Sequence, residues 1–62
     1  MKPGDKVTYN TRHQLEKGVV KRLCDDPDYV FVVYHCNNDW SRYTDYTAAR
    51  TAVTDLTEGW DV

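Results

Sequence analysis

Glycine, proline and cysteine are all scarce in this 62-residue sequence, at three, two and two residues. Gly4, Gly18 and Gly59 stand far apart, so no glycine-rich loop is available to cradle a phosphate, and no nucleophile elbow or metal-hydrolase motif accompanies them. Cys24 and Cys36 are too few for the disulfide framework of a small secreted domain, and both are expected as reduced thiols. Long apolar runs are missing too. Nothing approaches the roughly 20 residues of a membrane span, and Met1-Lys2-Pro3-Gly4-Asp5 has no apolar stretch behind its positive charge. The expectation is a soluble, unexported, cytoplasmic protein with no membrane partner. Positive charge is not in excess: eight basic against ten acidic side chains leave a net charge of -2. Nucleic-acid affinity comes largely from neutralising phosphates, so that partner class is disfavoured.

What is present is enough for one fold. Hydrophobic residues make up 40% and charged residues 29%, with mixed signs, as in an ordinary globular domain. Residues 1–62 form a single domain near the lower size limit for a core without metal or disulfides. A deep active-site pocket beside an intact core does not fit that size. Binding on the outer surface is the default, and no enzymatic activity and no cofactor are expected.

Pro3-Gly4-Asp5 signals a turn, and Lys6-Val7-Thr8-Tyr9 alternates as a strand with one buried face. Residues 10 to 16 are polar apart from Leu15 and read as an exposed loop, with Leu15 pinned to the core. A second strand covers Lys17 to Cys24, with Gly18 placed where a bulge or bend is expected. Asp25-Asp26-Pro27-Asp28 makes a tight turn into Tyr29-Val30-Phe31-Val32-Val33-Tyr34, the strongest strand signal in the chain. If those four turn residues lie outside the ladder, Arg22 faces Phe31 and Val20 faces Val33. Both faces of this hairpin mix apolar with charged residues, so its inward face and register stay open. Residues 37 to 47 read as a loop with a helical turn around Ser41 to Asp45. Ala48 to Val53 forms a fourth strand, Thr54-Asp55-Leu56 a 3-10 turn, and residues 59 to 62 a closing strand. The expected core is Val7, Tyr9, Val20, Val30, Val32, Leu56 and one of the two tryptophans.

This order of elements resembles an SH3-like barrel: mostly β, about five antiparallel strands, with a short 3-10 turn before the last. Lys2-Pro3-Gly4-Asp5-Lys6-Val7-Thr8-Tyr9, Glu16-Lys17-Gly18-Val19-Val20 and Val53-Thr54-Asp55-Leu56 look like the Tudor- and KOW-type members, and the chain is also similar to compact orphan proteins of phages and prophages. Tudor-type members imply capture of methylated side chains in aromatic cages. KOW-type members imply contact with nucleic acid or polymerase, and the acidic balance here departs from them.

The richest candidate is residues 39 to 46, where Trp40, Tyr43 and Tyr46 place three of the chain's eight aromatic side chains among polar neighbours. Trp and Tyr bring large contact area at low entropic cost, and Arg42 adds a planar donor fork. Asp39, Trp40, Arg42, Tyr43 and Tyr46 are therefore the expected anchors for a protein partner. The competing expectation is that Trp40 or Tyr43 folds back to close the core. Lys17, Lys21, Arg22 and Arg50, with Tyr29, Tyr43 or Trp40 as stacking platforms, are the alternative set, for nucleic acid. Cys24, His35, Cys36 and His13 lack the paired spacing of a zinc site, and neither Cys36 with a histidine nor Asp39 with Asp45 carries a catalytic motif, so no metal is expected. A monomer or weak homodimer completes the expectation.

Overall fold

In a computed structural model of the chain, residues 1–60 are described. Five strands follow one another: β1 (Lys6–Asn10), β2 (Leu15–Leu23), β3 (Tyr29–Val33), β4 (Ala49–Ala52) and β5 (Leu56–Glu58). They form one antiparallel sheet in the order β4-β3-β2-β1-β5. A first 3-10 helix, Trp40–Asp45, lies between β3 and β4, and a second, Val53–Asp55, joins β4 to β5.

The two edge strands are thus neighbours in sequence. A flat five-stranded sheet would hold its edges about 19 Å apart, four spacings of about 4.8 Å. The chain from Ala52 to Leu56 spans at most about 14 Å even when fully extended. The sheet must therefore curl to bring its edges together. The hydrogen-bonded ladder still ends at β4 and β5, so the expected barrel is realised as an open, curled sheet.

The turns form where the sequence placed them. Pro3-Gly4 occupies the centre of a turn in which the Asp5 amide donates to the Lys2 carbonyl, and Gly4 takes the positive φ of +91° that such a turn favours there. At the hairpin tip, the Asp28 amide donates to the Asp26 carboxylate and the Tyr29 amide to the Asp26 carbonyl. The first loop is shorter than expected, because Asn10 and Leu15 pair as ends of β1 and β2. Only residues 11–14 remain outside, closed by the Thr11 amide donating to the Gln14 carbonyl and the Gln14 amide donating to the Thr11 hydroxyl. Leu15 is exposed rather than pinned to the core.

The hairpin register is as expected at Arg22 opposite Phe31 and changes at Lys21. Val20 pairs with Val32 and Val19 with Val33, so Lys21 is an extra residue in β2. Strict alternation would put Arg22 on the same face as Val20. The bulge breaks that alternation, leaving Val20 inside and Arg22 outside. This is how a strand with mixed faces builds an apolar core. Gly18, where a bulge or bend was expected, serves a close approach instead: a Cβ there would lie 2.5 Å from Cγ1 of Val32.

The inner face carries the core of Val7, Val20, Val30, Val32 and Leu56, with Met1, Tyr9, Tyr34 and Val53 packed against it. Every expected aliphatic member is there, and Tyr9 is partly buried at its rim. Neither tryptophan belongs to this cluster. The closing strand is Leu56–Glu58 rather than residues 59 to 62; Gly59 and Trp60 follow it outside any strand, and Asp61 and Val62 lie outside the described residues. No helix among the described residues is long and apolar enough to cross a membrane.

Candidate binding surface

The outer face of the sheet has a second buried patch, which alternation along single strands does not reveal. Thr8 and Val33 are fully buried, and Val19 and Cys36 nearly so. Pairing of Thr8 with Lys17, of Lys6 with Val19 and of Val19 with Val33 places Thr8, Val19 and Val33 together on that face. Two segments cover it.

One is the chain after β5. The Thr8 hydroxyl donates to the Gly59 carbonyl at 2.6 Å, and the Trp60 indole Nε1 donates to the Gly18 carbonyl at 2.9 Å. Lys6 and Lys17 place their ammonium groups 4.8 and 5.2 Å from the centroid of the Trp60 ring. Cations at this range over an indole are attracted by its negative π face.

The other is the first 3-10 helix. Asn37 and Asn38 both have positive φ, 52° and 66°, and the Asp39 amide donates to the Cys36 carbonyl at 2.8 Å. Asparagine tolerates this conformation better than most residues, and two in a row reverse the chain tightly. The helix that follows packs against β2. Lys21 reaches from the bulge to donate to the Tyr46 carbonyl at 2.7 Å, holding the far end of the segment. Tyr43 lies beside Gly4, with its hydroxyl 3.4 Å from where a Cβ would stand.

Trp40 meets Trp60 here, ring centroids 5.3 Å apart and planes tilted by 58°. The expected anchors Trp40, Tyr43 and Tyr46 are half-buried, and no residue of the Trp40–Asp45 helix is fully buried. All three therefore stay partly open to solvent. Arg42 is exposed and paired with Asp45 at 3.1 Å, which holds its guanidinium pKa above the usual value. Such an exposed pair adds little stability. Asp39 is also exposed, and its carboxylate accepts the Ser41 hydroxyl.

Trp60, Lys6 and Lys17 are the members of this surface that the partner-binding expectation missed. In the sequence, Trp60 stands out only as a core candidate and as part of a closing strand. The four cations of the nucleic-acid set are divided. Lys17 sits over Trp60 and Lys21 is bonded to the Tyr46 carbonyl. Arg22 and Arg50 flank Phe31 from the two neighbouring strands, Arg22 stacked 3.9 Å from the centre of Phe31 and Arg50 3.9 Å from that of Tyr29. No protein family, curated protein or solved structure matches this chain.

Proposed function

We propose that this chain is a small non-catalytic binding module that docks a protein partner through the aromatic surface of Trp40, Tyr43, Tyr46 and Trp60, flanked by Arg42 and Asp39. The observation that carries the reading is the Trp40–Trp60 pair, half-exposed yet fixed by the bond from Trp60 to the Gly18 carbonyl. Aromatic anchors already held in place lose little freedom on binding, which is what makes such residues strong contributors at interfaces.

The strand order β4-β3-β2-β1-β5, with a one-turn 3-10 link between β4 and β5, supports an SH3-like reading of the fold. Within that group a Tudor-type cage for a methylated cation is the weaker fit, because Lys6 and Lys17 of the chain itself already lie over the Trp60 ring. The KOW-type reading is weakened in turn by the division of its four cations. Cytoplasmic placement and kinship with small phage proteins belong to the same proposal and rest on the sequence.

A tagged pull-down from lysate, with and without nuclease, tests the reading with wild type and a Trp40→Ala/Tyr43→Ala variant shown to be folded by circular dichroism. The expected result is a protein that survives nuclease and is lost with the variant. Retention by the variant, or loss on nuclease treatment, overturns it.

A further inference from the structure

The far side of the outer face holds a second surface, separate from the aromatic one. Arg22, Phe31 and Arg50 form a row across β2, β3 and β4, and Arg50 stacks on Tyr29. Arg22 and Arg50 are exposed, and among the described residues the ion pairs are Lys2–Asp5 and Arg42–Asp45, so neither guanidinium meets a carboxylate of those residues. Stacking fixes the plane of each guanidinium and leaves its edge N–H groups for an anion.

This row ends at the open edge of β4. The Val53 amide donates to the Asp28 carbonyl at 2.9 Å, which sets the phase of the β3–β4 ladder. Val30/Thr51 and Val32/Ala49 are then the pairs that exchange backbone bonds, and Phe31/Arg50 and Tyr29/Ala52 are the pairs between them. The N–H and C=O of Arg50 and Ala52 therefore point away from β3, toward the free edge. An unpaired edge of this kind is a template for an added strand.

We infer that the β4 edge docks an extended acidic segment of a partner protein as a sixth strand, with a carboxylate opposite Arg50. A side chain directly across from Arg50 would lie within about 5.5 Å of it, in range of a bidentate pair, while Arg22 adds positive potential from two strands away. The chemistry selects against the other occupants. A second copy paired antiparallel through both Arg50 and Ala52 would set the two Arg50 side chains diagonally, about 7–8 Å apart on one face, which is repulsive. A nucleic acid would find only two cations here, and the Phe31 and Tyr29 ring faces on which a base would stack are already covered by guanidinium.

Ala52 provides a selective block. Its φ of -67° is the value proline imposes, and its N–H faces the open edge, so Ala52→Pro removes one docking donor and leaves the β3–β4 ladder intact. The probe is a fluorescein-labelled eight-residue peptide of alternating threonine and glutamate, followed by anisotropy, beside the threonine–lysine peptide and an oligothymidylate of eight nucleotides. Wild type is expected to bind the glutamate peptide alone. Arg50→Gln should weaken it about tenfold and Arg22→Gln about two- to threefold. Ala52→Pro should abolish binding while its circular dichroism stays native. The Trp40→Ala/Tyr43→Ala variant should bind the peptide normally, which separates this site from the aromatic one. Three results would each overturn the inference: full binding by Ala52→Pro, preference for the oligothymidylate, or no peptide binding with self-association in sedimentation that Ala52→Pro removes.

Discussion

The Trp60 indole donates its hydrogen bond to the carbonyl of Gly18, forty-two positions earlier in the chain, and so ties the segment after β5 to the middle of β2. That bond fixes the ring against which Trp40 packs. Trp60→Phe keeps a ring of similar shape and removes the donor. The expected loss is about 1–2 kcal/mol, from the lost hydrogen bond to Gly18 and a weaker aromatic pair. Urea unfolding measures it. Trp40 is then the remaining tryptophan, and its emission should shift to the red as the ring loses cover; an unchanged midpoint and spectrum would mean that the bond orders nothing.

Gly18 serves β2 in a second way. A Cβ at this position would meet Cγ1 of the fully buried Val32 at 2.5 Å and the Tyr34 ring at 3.1 Å. Valine is stiff at χ1 and cannot swing aside without disturbing the core. Gly18→Ala should destabilise the fold by about 1–3 kcal/mol through overpacking. Pairing it with Val32→Ala tests the cause, since the double variant should lose less than the sum of the two single losses. Strict additivity would place the cost elsewhere.

The elements whose causes are local were legible in the sequence. The β-branched run Tyr29–Val33, the Pro3-Gly4 turn and the Asp26-Pro27 turn each carry their own chemistry, and the aliphatic core followed from the strands. The bulge at Lys21 has a non-local cause: Arg22 must leave the face that Val20 shares with Val32, and only the β2–β3 pairing shows that this face is the inner one. Leu15 reads as a core residue but is exposed, because an isolated apolar residue in a polar stretch has no period to place it. At the candidate surface, Asp39, Trp40, Arg42, Tyr43 and Tyr46 fall within residues 39–46 and could be found by composition. Trp60 could not, because its partners lie on β1, β2 and the first 3-10 helix. Arg22 and Arg50 come together only through the β2–β3–β4 register.

Cys36 and Tyr34 give the fold a pH dependence at its alkaline limit. Burial pushes the Cys36 thiol above its ordinary 9.0, and the Asp39 carboxylate adds to the shift. Burial also raises the Tyr34 phenol above its ordinary 10.0, against the lowering effect of its hydrogen bond with Thr51. In each case the unfolded chain releases its proton first as pH rises, so the folded state binds more protons and stability falls with pH. The contribution is complete below the unfolded value of each group, and it is lost through the range from that value to the raised one. Urea midpoints should therefore hold steady to about pH 9 and decline above it, and Cys36→Ala should delay the onset of the decline toward the tyrosine range. Thiol titration with an aromatic disulfide reagent near pH 8 supplies the independent check. Half-buried Cys24 should react quickly in the native protein, and Cys36, 1% exposed, only at the rate of unfolding. Two equally fast thiols in the native protein would show that the outer-face cover over Cys36 opens freely, and would remove the basis for its raised pKa.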